Sequence, residues 1–404
     1  MKYLSTLLLF FVFVQCTFAQ SDNNDVKLAA LPYYNFGKGL GLTSPDSLFQ
    51  FNIRFRMQNR ATFYSKEGQD DYINAQIRRL RLRFDGFVGD PRFLYVIQLS
   101  FSPQDHGVIE DGDNINIIRD AVFFYRPNAR WNIGFGQTKI PGNRQRINSS
   151  GALQLTDRSI NNSRFNVDRD FGFHIYYLHE KLESFGYNIK SSITTGEGRN
   201  FNSQDDMGLA YTAKAEIFPL GSFTRNGAYF EGDLMREQTP KVMLSAAYQF
   251  NNSALQTQGQ RGDALYEQKN LHYVFLDGVV KYKGWALQTA FMQRRTEGSS
   301  FAFDQLDTTG STFNYALTGR GYDGQLSYIF KNDLELIGRY SYSRPTNEIR
   351  AFVGEAKQYT FGVSKYLKEH SFKLQAEITT EMLDFIGRVD RQNWYGRIQV
   401  EIGI

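Results

Sequence analysis

Phe49-Gln50-Phe51-Asn52-Ile53-Arg54-Phe55-Arg56-Met57-Gln58-Asn59-Arg60-Ala61-Thr62-Phe63 alternates with a period of two. Phe49, Phe51, Ile53, Phe55, Met57, Ala61 and Phe63 share one face, broken only by Asn59. Gln50, Asn52, Arg54, Arg56, Gln58, Arg60 and Thr62 share the other. Period two is the signature of a strand with one apolar and one polar face. The next segment sets Leu80, Leu82 and Phe84 against Arg79, Arg81 and Arg83. Charge on one face and hydrocarbon on the other, repeated along an aromatic-rich chain, predicts lipid outside and water inside. The fold class expected is therefore all-β, a transmembrane antiparallel β-barrel. In this register Phe55→Arg should be costly and Gln58→Arg mild.

Outward from that stretch, the alternation predicts strands at 48–64, 76–88, 93–102, 117–126, 131–139, 171–178, 185–195, 208–218, 241–250, 272–282, 285–295, 313–330, 334–343, 358–366, 371–380 and 393–404. That is about sixteen, an even number as barrels with both ends on one side require. The connections alternate in length. Long ones are expected near 65–75, 103–116, 140–170, 196–207, 251–271, 296–312, 344–357 and 381–392. Short ones, such as Gly89-Asp90-Pro91-Arg92 and Lys283-Gly284, lie between them. Short periplasmic turns and long outer loops explain this pattern. The connection 219–240 is long where a short one is due, and Tyr229 to Leu234 is a candidate extra strand. Three segments result: a signal peptide at 1–19, a periplasmic leader at 20–47 and the barrel at 48–404.

The N-terminus carries Lys2, an apolar core from Leu7 to Val14, and Thr17-Phe18-Ala19 before Gln20. This reads as a cleaved export signal, which places the mature chain in the bacterial outer membrane. Cys16 is the only cysteine and lies within the signal, so no disulfide or thiol chemistry is expected. Gln15 is too bulky for a lipidation site at Cys16. After the N-terminus no stretch approaches the roughly 20 apolar residues of a spanning helix. Net charge is +4, with no basic stripe interleaved with aromatics, which argues against nucleic acid. The five histidines lack metal-ligand spacing, and no Gly-x-Ser-x-Gly elbow occurs. No enzyme activity, metal or cofactor is expected. Gly37-Lys38-Gly39-Leu40-Gly41 lacks the spacing of a phosphate loop. Glu110, Asp111 and Asp113 mark an acidic outer loop, solvated by default, with bridging cations as the alternative.

The arginines carry the functional reading. Arg54, Arg56 and Arg60 on one strand and Arg79, Arg81 and Arg83 on its neighbour form a two-column ladder facing the lumen. Neighbouring strands lie about 4.8 Å apart, and like charges that close need anions or solvent between them. Guanidinium binds phosphate and carboxylate through a planar fork. The ladder is thus either an anion track or a wall whose arginines pair with acids on an inward loop. Asp85 continues the second column and can order one arginine. The longest connection, 140–170, is the natural constriction loop. Lys139, Arg144, Arg146, Arg158, Arg164 and Arg169 are its basic candidates, against Asp157, Asp168 and Asp170. The acids would pin the loop and some basic groups would remain for solute.

Asp120-Ala121 with Phe124-Tyr125, Ile133-Gly134-Phe135-Gly136-Gln137-Thr138-Lys139-Ile140-Pro141, Leu155 to Ser159 and Arg169-Asp170-Phe171-Gly172 resemble the phosphate-selective porin O and P family. Gly232-Asp233-Leu234, Arg236-Glu237 and Pro240-Lys241 fit the same pattern, which would account for the long connection at 219–240. The resemblance implies a sixteen-stranded homotrimeric porin with an arginine ladder and a long inward third loop. The expected function is passive diffusion of small anions, phosphate or related oxyanions first, with outer-membrane lipid and lipopolysaccharide as surroundings. The alternatives are a general porin for small hydrophilic solutes, or a non-conducting structural or adhesive barrel.

Overall fold

The computed structural model describes residues 39–106, 117–200, 208–305, 307 and 312–404. The expected signal peptide, most of the leader and the acidic residues Glu110, Asp111 and Asp113 lie outside them. Sixteen strands form the wall: β1 (Phe49–Lys66), β2 (Tyr72–Val88), β3 (Asp90–Ser100), β4 (Ile118–Tyr125), β5 (Trp131–Lys139), β6 (Arg169–His179), β7 (Gly186–Thr194), β8 (Ala210–Phe218), β9 (Lys241–Gln256), β10 (Ala264–Tyr282), β11 (Trp285–Thr296), β12 (Gly319–Ile329), β13 (Leu334–Pro345), β14 (Glu355–Lys368), β15 (Phe372–Asp384) and β16 (Arg391–Gly403). Each is antiparallel to the next. β16 returns to β1, with Asn393 opposite Lys66 and Gly403 opposite Arg56. Closure satisfies the backbone within the sheet, the condition for crossing a bilayer with strands.

β1 extends beyond its last pair with β16, Arg56 opposite Gly403, and would expose an edge there. The leader covers it: Leu40–Thr43 is a short strand paired with Gln50–Ile53, directly beyond the point where β16 ends. The turn between β2 and β3 is the single Gly89, whose φ of 74° suits glycine.

The outer face carries the apolar residues and the inner face the charges. Phe51 stacks on Phe84 at 5.3 Å and Trp285 packs tilted on Tyr328 at 4.8 Å, both on the outside. Phe55 is 39% exposed on that lipid-facing side. Phe55→Arg is expected to cost about 2–4 kcal/mol near the bilayer midplane, read as a lowered urea midpoint in lipid vesicles. An unchanged midpoint would place Phe55 inside. Gln58 does face inward, but a mild Gln58→Arg no longer follows. It is fully buried, accepts from Arg79 at 2.6 Å and donates to Glu401 at 2.8 Å. A guanidinium there would sit among others.

Several strand boundaries differ from the alternation. β1 and β2 run on to Lys66 and back from Tyr72, leaving only Glu67–Asp71 between them, so this connection is short. β9 and β10 extend likewise, and the connection expected at 251–271 shrinks to 257–263. These strand ends are rich in polar residues on both faces, so the alternation lapses. The segment expected as one strand at 313–330 is two: Phe313–Tyr315 pairs with Phe301–Phe303 in a separate hairpin, and β12 begins at Gly319. Tyr229 to Leu234 is not a strand. Thr224–Tyr229 is a 3-10 turn, and the segment around it folds inside the barrel. Sixteen wall strands therefore stand without it.

Candidate functional site

Register determines which arginines meet. Arg54 lies opposite Arg83, Arg56 opposite Arg81 and Gln58 opposite Arg79. The ladder then rises about 20 Å along the inner wall. Between Gln58 and Asn59 the pairing slips by one residue, and Arg78 is the extra one. A bulge re-aims a side chain, and here it turns Arg78 inward beside Arg79, against the alternation.

The loop 140–168 crosses the lumen and is held from all sides. Its two short helices are capped by their own polar residues: Asn143 accepts from the Arg146 amide at 3.2 Å, and Ser159 from the Asn162 amide at 3.1 Å. A 3-10 turn at Ser150–Ala152 lies between them, and many carbonyls along the loop have no partner within it and need donors. Basic side chains of the wall supply them. Lys373 donates to Gly151 O at 2.9 Å, Lys214 to Gly142 O at 2.8 Å, Arg339 to Asp157 O at 3.0 Å and Arg294 to Arg164 O at 2.9 Å. Lys139 donates to Ile147 O at 2.6 Å.

Two carboxylates tie loops to the ladder. Asp157 receives Arg60 and Arg79 at 3.0 Å and Arg78 at 2.8 Å. Asp105, on the second outer loop, receives Arg81 at 2.6 Å and Arg119 at 2.9 Å. Burial works against ionisation of both, but the surrounding guanidiniums outweigh it and hold Asp157 and Asp105 well below the usual carboxylate range. Lower on the wall, Asp85 binds Arg83 at 3.0 Å and Arg54 at 3.4 Å, and Glu401 binds Arg56 at 3.3 Å. Every ladder arginine thus has an acidic partner.

The loop's basic residues divide into two groups. Arg144 donates to Ala228 O and Phe230 O, both at 2.7 Å, and Arg164 to Ser343 and Gly354 O, both at 3.0 Å. These two hold structure. Lys139, Arg146, Arg158 and Arg169 converge, with Arg79 and Arg81 of the ladder, on a polar cavity of about 100 Å³, although Lys139 and Arg158 also hold loop carbonyls. Arg78, Arg119, Arg199 and Arg261 complete its wall, and the two carboxylates among its lining residues are Asp105 and Asp168. Asp168 is taken by Arg146 and by Arg169 at 3.3 Å. Asp157 also pairs with Arg78 and Arg79, and Asp120 with Arg169 at 3.0 Å, so ten basic groups face four acids and a positive surplus remains. Burial and then the neighbouring Arg146 push the Arg261 guanidinium down to about 10, which still leaves it charged at neutral pH. Arg54, Arg56, Arg60 and Arg83 do not line this cavity.

The connection 219–240 enters the lumen from the opposite end. Its tip meets the loop, with the Glu231 amide on Ala152 O at 2.9 Å, and Lys281 holds it through Gly227 O at 2.6 Å. The lumen is therefore narrowed by one segment from each end.

A profile of the phosphate-selective porin O and P family matches residues 51–381. The chain belongs to that family. It is an outer-membrane porin, and family and fold together point to a channel rather than an enzyme. Among solved structures, the outer-membrane channel DcaP of Acinetobacter baumannii is similar at TM-score 0.56 and 12% identity, covering 90% of this chain and 99% of that one. OmpF of Salmonella typhi in complex with daunomycin gives 0.56's near equal, a TM-score of 0.55, at 10% identity over 90% of this chain and all of that one. At such identities the likeness speaks for the barrel alone. No curated protein matches the chain at a significant level.

In this porin, four basic residues of the cavity escaped the sequence reading: Arg78, Arg119, Arg199 and Arg261. Arg119 has the outward parity of Ala121 and Phe123, and a second slip turns it inward, where Gln98 pairs with Asp120 and Leu99 with Ile118. Arg78 depends on the bulge. Arg199 and Arg261 sit on outer loops, and only the closed ring brings those loops to one point.

Proposed function

We propose that the porin is a passive channel favouring small anions, phosphate and related oxyanions first. The surplus of guanidinium groups around the polar cavity carries this reading. Planar forks converging from several elements suit a tetrahedral oxyanion better than a point charge would. Such groups replace the anion's hydration while leaving exit possible. A second reading, a general porin for small hydrophilic solutes, is favoured by the acidic partners of the ladder, which leave much of the wall neutral in sum. The test is a planar bilayer. Reversal potential in a chloride gradient should show anion preference, and added phosphate should block chloride current. Equal permeability to both ions, without block, would favour the general porin.

The inward segments are proposed to set the pore's width. Replacing 223–237 by a short glycine-serine turn should raise unit conductance. No change would mean that solute passes elsewhere. We propose association into a trimer through the low wall, where β4 to β8 are only 8 to 11 residues long and present Phe123, Ile133, Phe135, Phe173 and Ile189 outward. Export would use residues 1–19 as the cleaved signal.

A further inference from the structure

The outer face of β11 to β14 carries a feature that the pore does not use. At the loop end of these strands three arginines point out of the barrel. Arg320 pairs directly with Arg344 across β12 and β13, and Arg295 lies one step from Gln293, the β11 partner of Arg320. Among the described residues neither Arg295 nor Arg320 has a carboxylate partner. Arg344 reaches Glu355 at 3.5 Å, an acid that it shares with Arg350. The three arginines border a surface cavity of about 480 Å³. Its one acid, Glu348, is occupied by the Ser299 hydroxyl and the Ser300 amide.

One step toward the membrane the same strands carry aromatic rings. Phe291 packs on Tyr322 at 4.9 Å, and Tyr322 on Tyr342 at 6.4 Å. Such a belt marks the level of the lipid headgroups. The next step down carries no bulk on β12: Gly324 lies opposite Tyr340, and Gly338 opposite Leu326. A side chain at either glycine would meet open space. Their lack of side chains leaves an apolar surface groove of about 540 Å³, walled by Leu287, Leu326, Tyr340, Phe361 and Ile378. Arg320 and Gly324 are four residues apart on one strand, about 13 Å. A cationic cavity thus sits directly above an apolar groove, at about the spacing between a lipid's headgroup and its upper acyl chain.

We propose that this face binds one phosphate-bearing, acylated lipid of the outer leaflet. The phosphate lies on Arg295, Arg320 and Arg344, and an acyl chain lies in the groove over Gly324 and Gly338. Charge complementarity selects the phosphate, and the groove selects a lipid over a soluble anion. The site is separate from the pore and rests only on the barrel's place in the outer membrane. The low wall of β4 to β8 is on another part of the ring, so association through that wall leaves this face to lipid.

The test is native mass spectrometry of the detergent-solubilised porin with lipid A, dephosphorylated lipid A and inorganic phosphate as probes. The wild type should retain one phosphorylated lipid per chain. Arg295→Gln with Arg320→Gln should weaken retention about tenfold and make it no better than that of the dephosphorylated lipid. Gly338→Phe, which fills the groove, should weaken both lipids, and Gly324→Val serves if the first variant fails the heat-shift test of folding. Unchanged retention in the double variant would overturn the proposal. So would displacement of the lipid by inorganic phosphate at equal concentration, which would make this a small-anion site. A change of oligomeric state in Gly338→Phe, with lipid retention intact, would make the face a subunit contact and overturn it too.

Discussion

Asp157→Ala is expected to free the lumen-crossing loop from the wall. One carboxylate holds Arg60, Arg78 and Arg79, each within 3.0 Å. Removing it leaves three guanidiniums crowded together without their counter-charge. Breaking a buried pair by deleting one partner costs about 3–5 kcal/mol, and here the deleted partner is shared. The wall is a closed ring of backbone bonds and should survive, so the loss should fall on the loop. Unit conductance should rise, its noise should increase, and the loop should become open to protease while the barrel still shifts on heated gels. A variant with wild-type conductance and a protected loop would show that the carbonyl contacts from Lys373, Lys214 and Arg294 hold it alone. Acid should mimic the substitution only weakly. Because the folded Asp157 carboxyl lies below its unfolded value, its contribution is complete above the ordinary value of about 3.9 and is lost only as pH falls through the lower folded value. Loop release by acid is thus expected well below pH 4.

Arg199→Gln with Arg261→Gln should abolish most of the anion preference while leaving the fold intact. Both residues line the cavity from outer loops, and neither belongs to the Asp157 cluster. Arg199 gives one bond to Asp105 O at 3.0 Å. A hydrogen bond to a charged group is worth about 1.5–3 kcal/mol, so block by phosphate should need roughly tenfold more phosphate or beyond. The change in reversal potential should be largest at low salt, where the Debye length is about 30 Å, and small at 1 M, where it is about 3 Å. Lysine at both positions should keep the preference for anions better than the affinity for phosphate, because charge is retained and the planar fork is lost. Arg56→Gln offers a contrast. That residue sits over Gly151 and binds Ser149 at 2.8 Å and Glu401, away from the cavity. Its loss should disturb the loop more than the selectivity. The reverse pattern, with Arg56 controlling selectivity and the loop pair silent, would move the anion path from the cavity to the lower ladder.

The barrel was legible in the sequence because period two is a local property. A strand with lipid on one side must alternate, and Phe51, Ile53, Phe55 and Met57 against Arg54 and Arg56 do so without help from the rest of the chain. The same rule explains where the reading stopped short. Residues 251–256 and 264–271 are strand with polar residues on both faces, so no alternation marks them. The inward faces of all six ladder arginines were also readable from parity. What each arginine does was not. Whether Arg79 faces a solute or an aspartate depends on Asp157, which is brought to it by a loop that starts three strands away, after β5. The bulge that turns Arg78 inward follows from pairing between two strands and leaves no mark in either one alone. The cavity itself gathers Arg81, Arg119, Arg146, Arg199 and Arg261 from separate strands and loops. Sequence determined that the chain has a charged inner face. Only closure of the ring, which fixes long-range distances that no local pattern encodes, decided which of those charges neutralise one another and which remain to meet a solute.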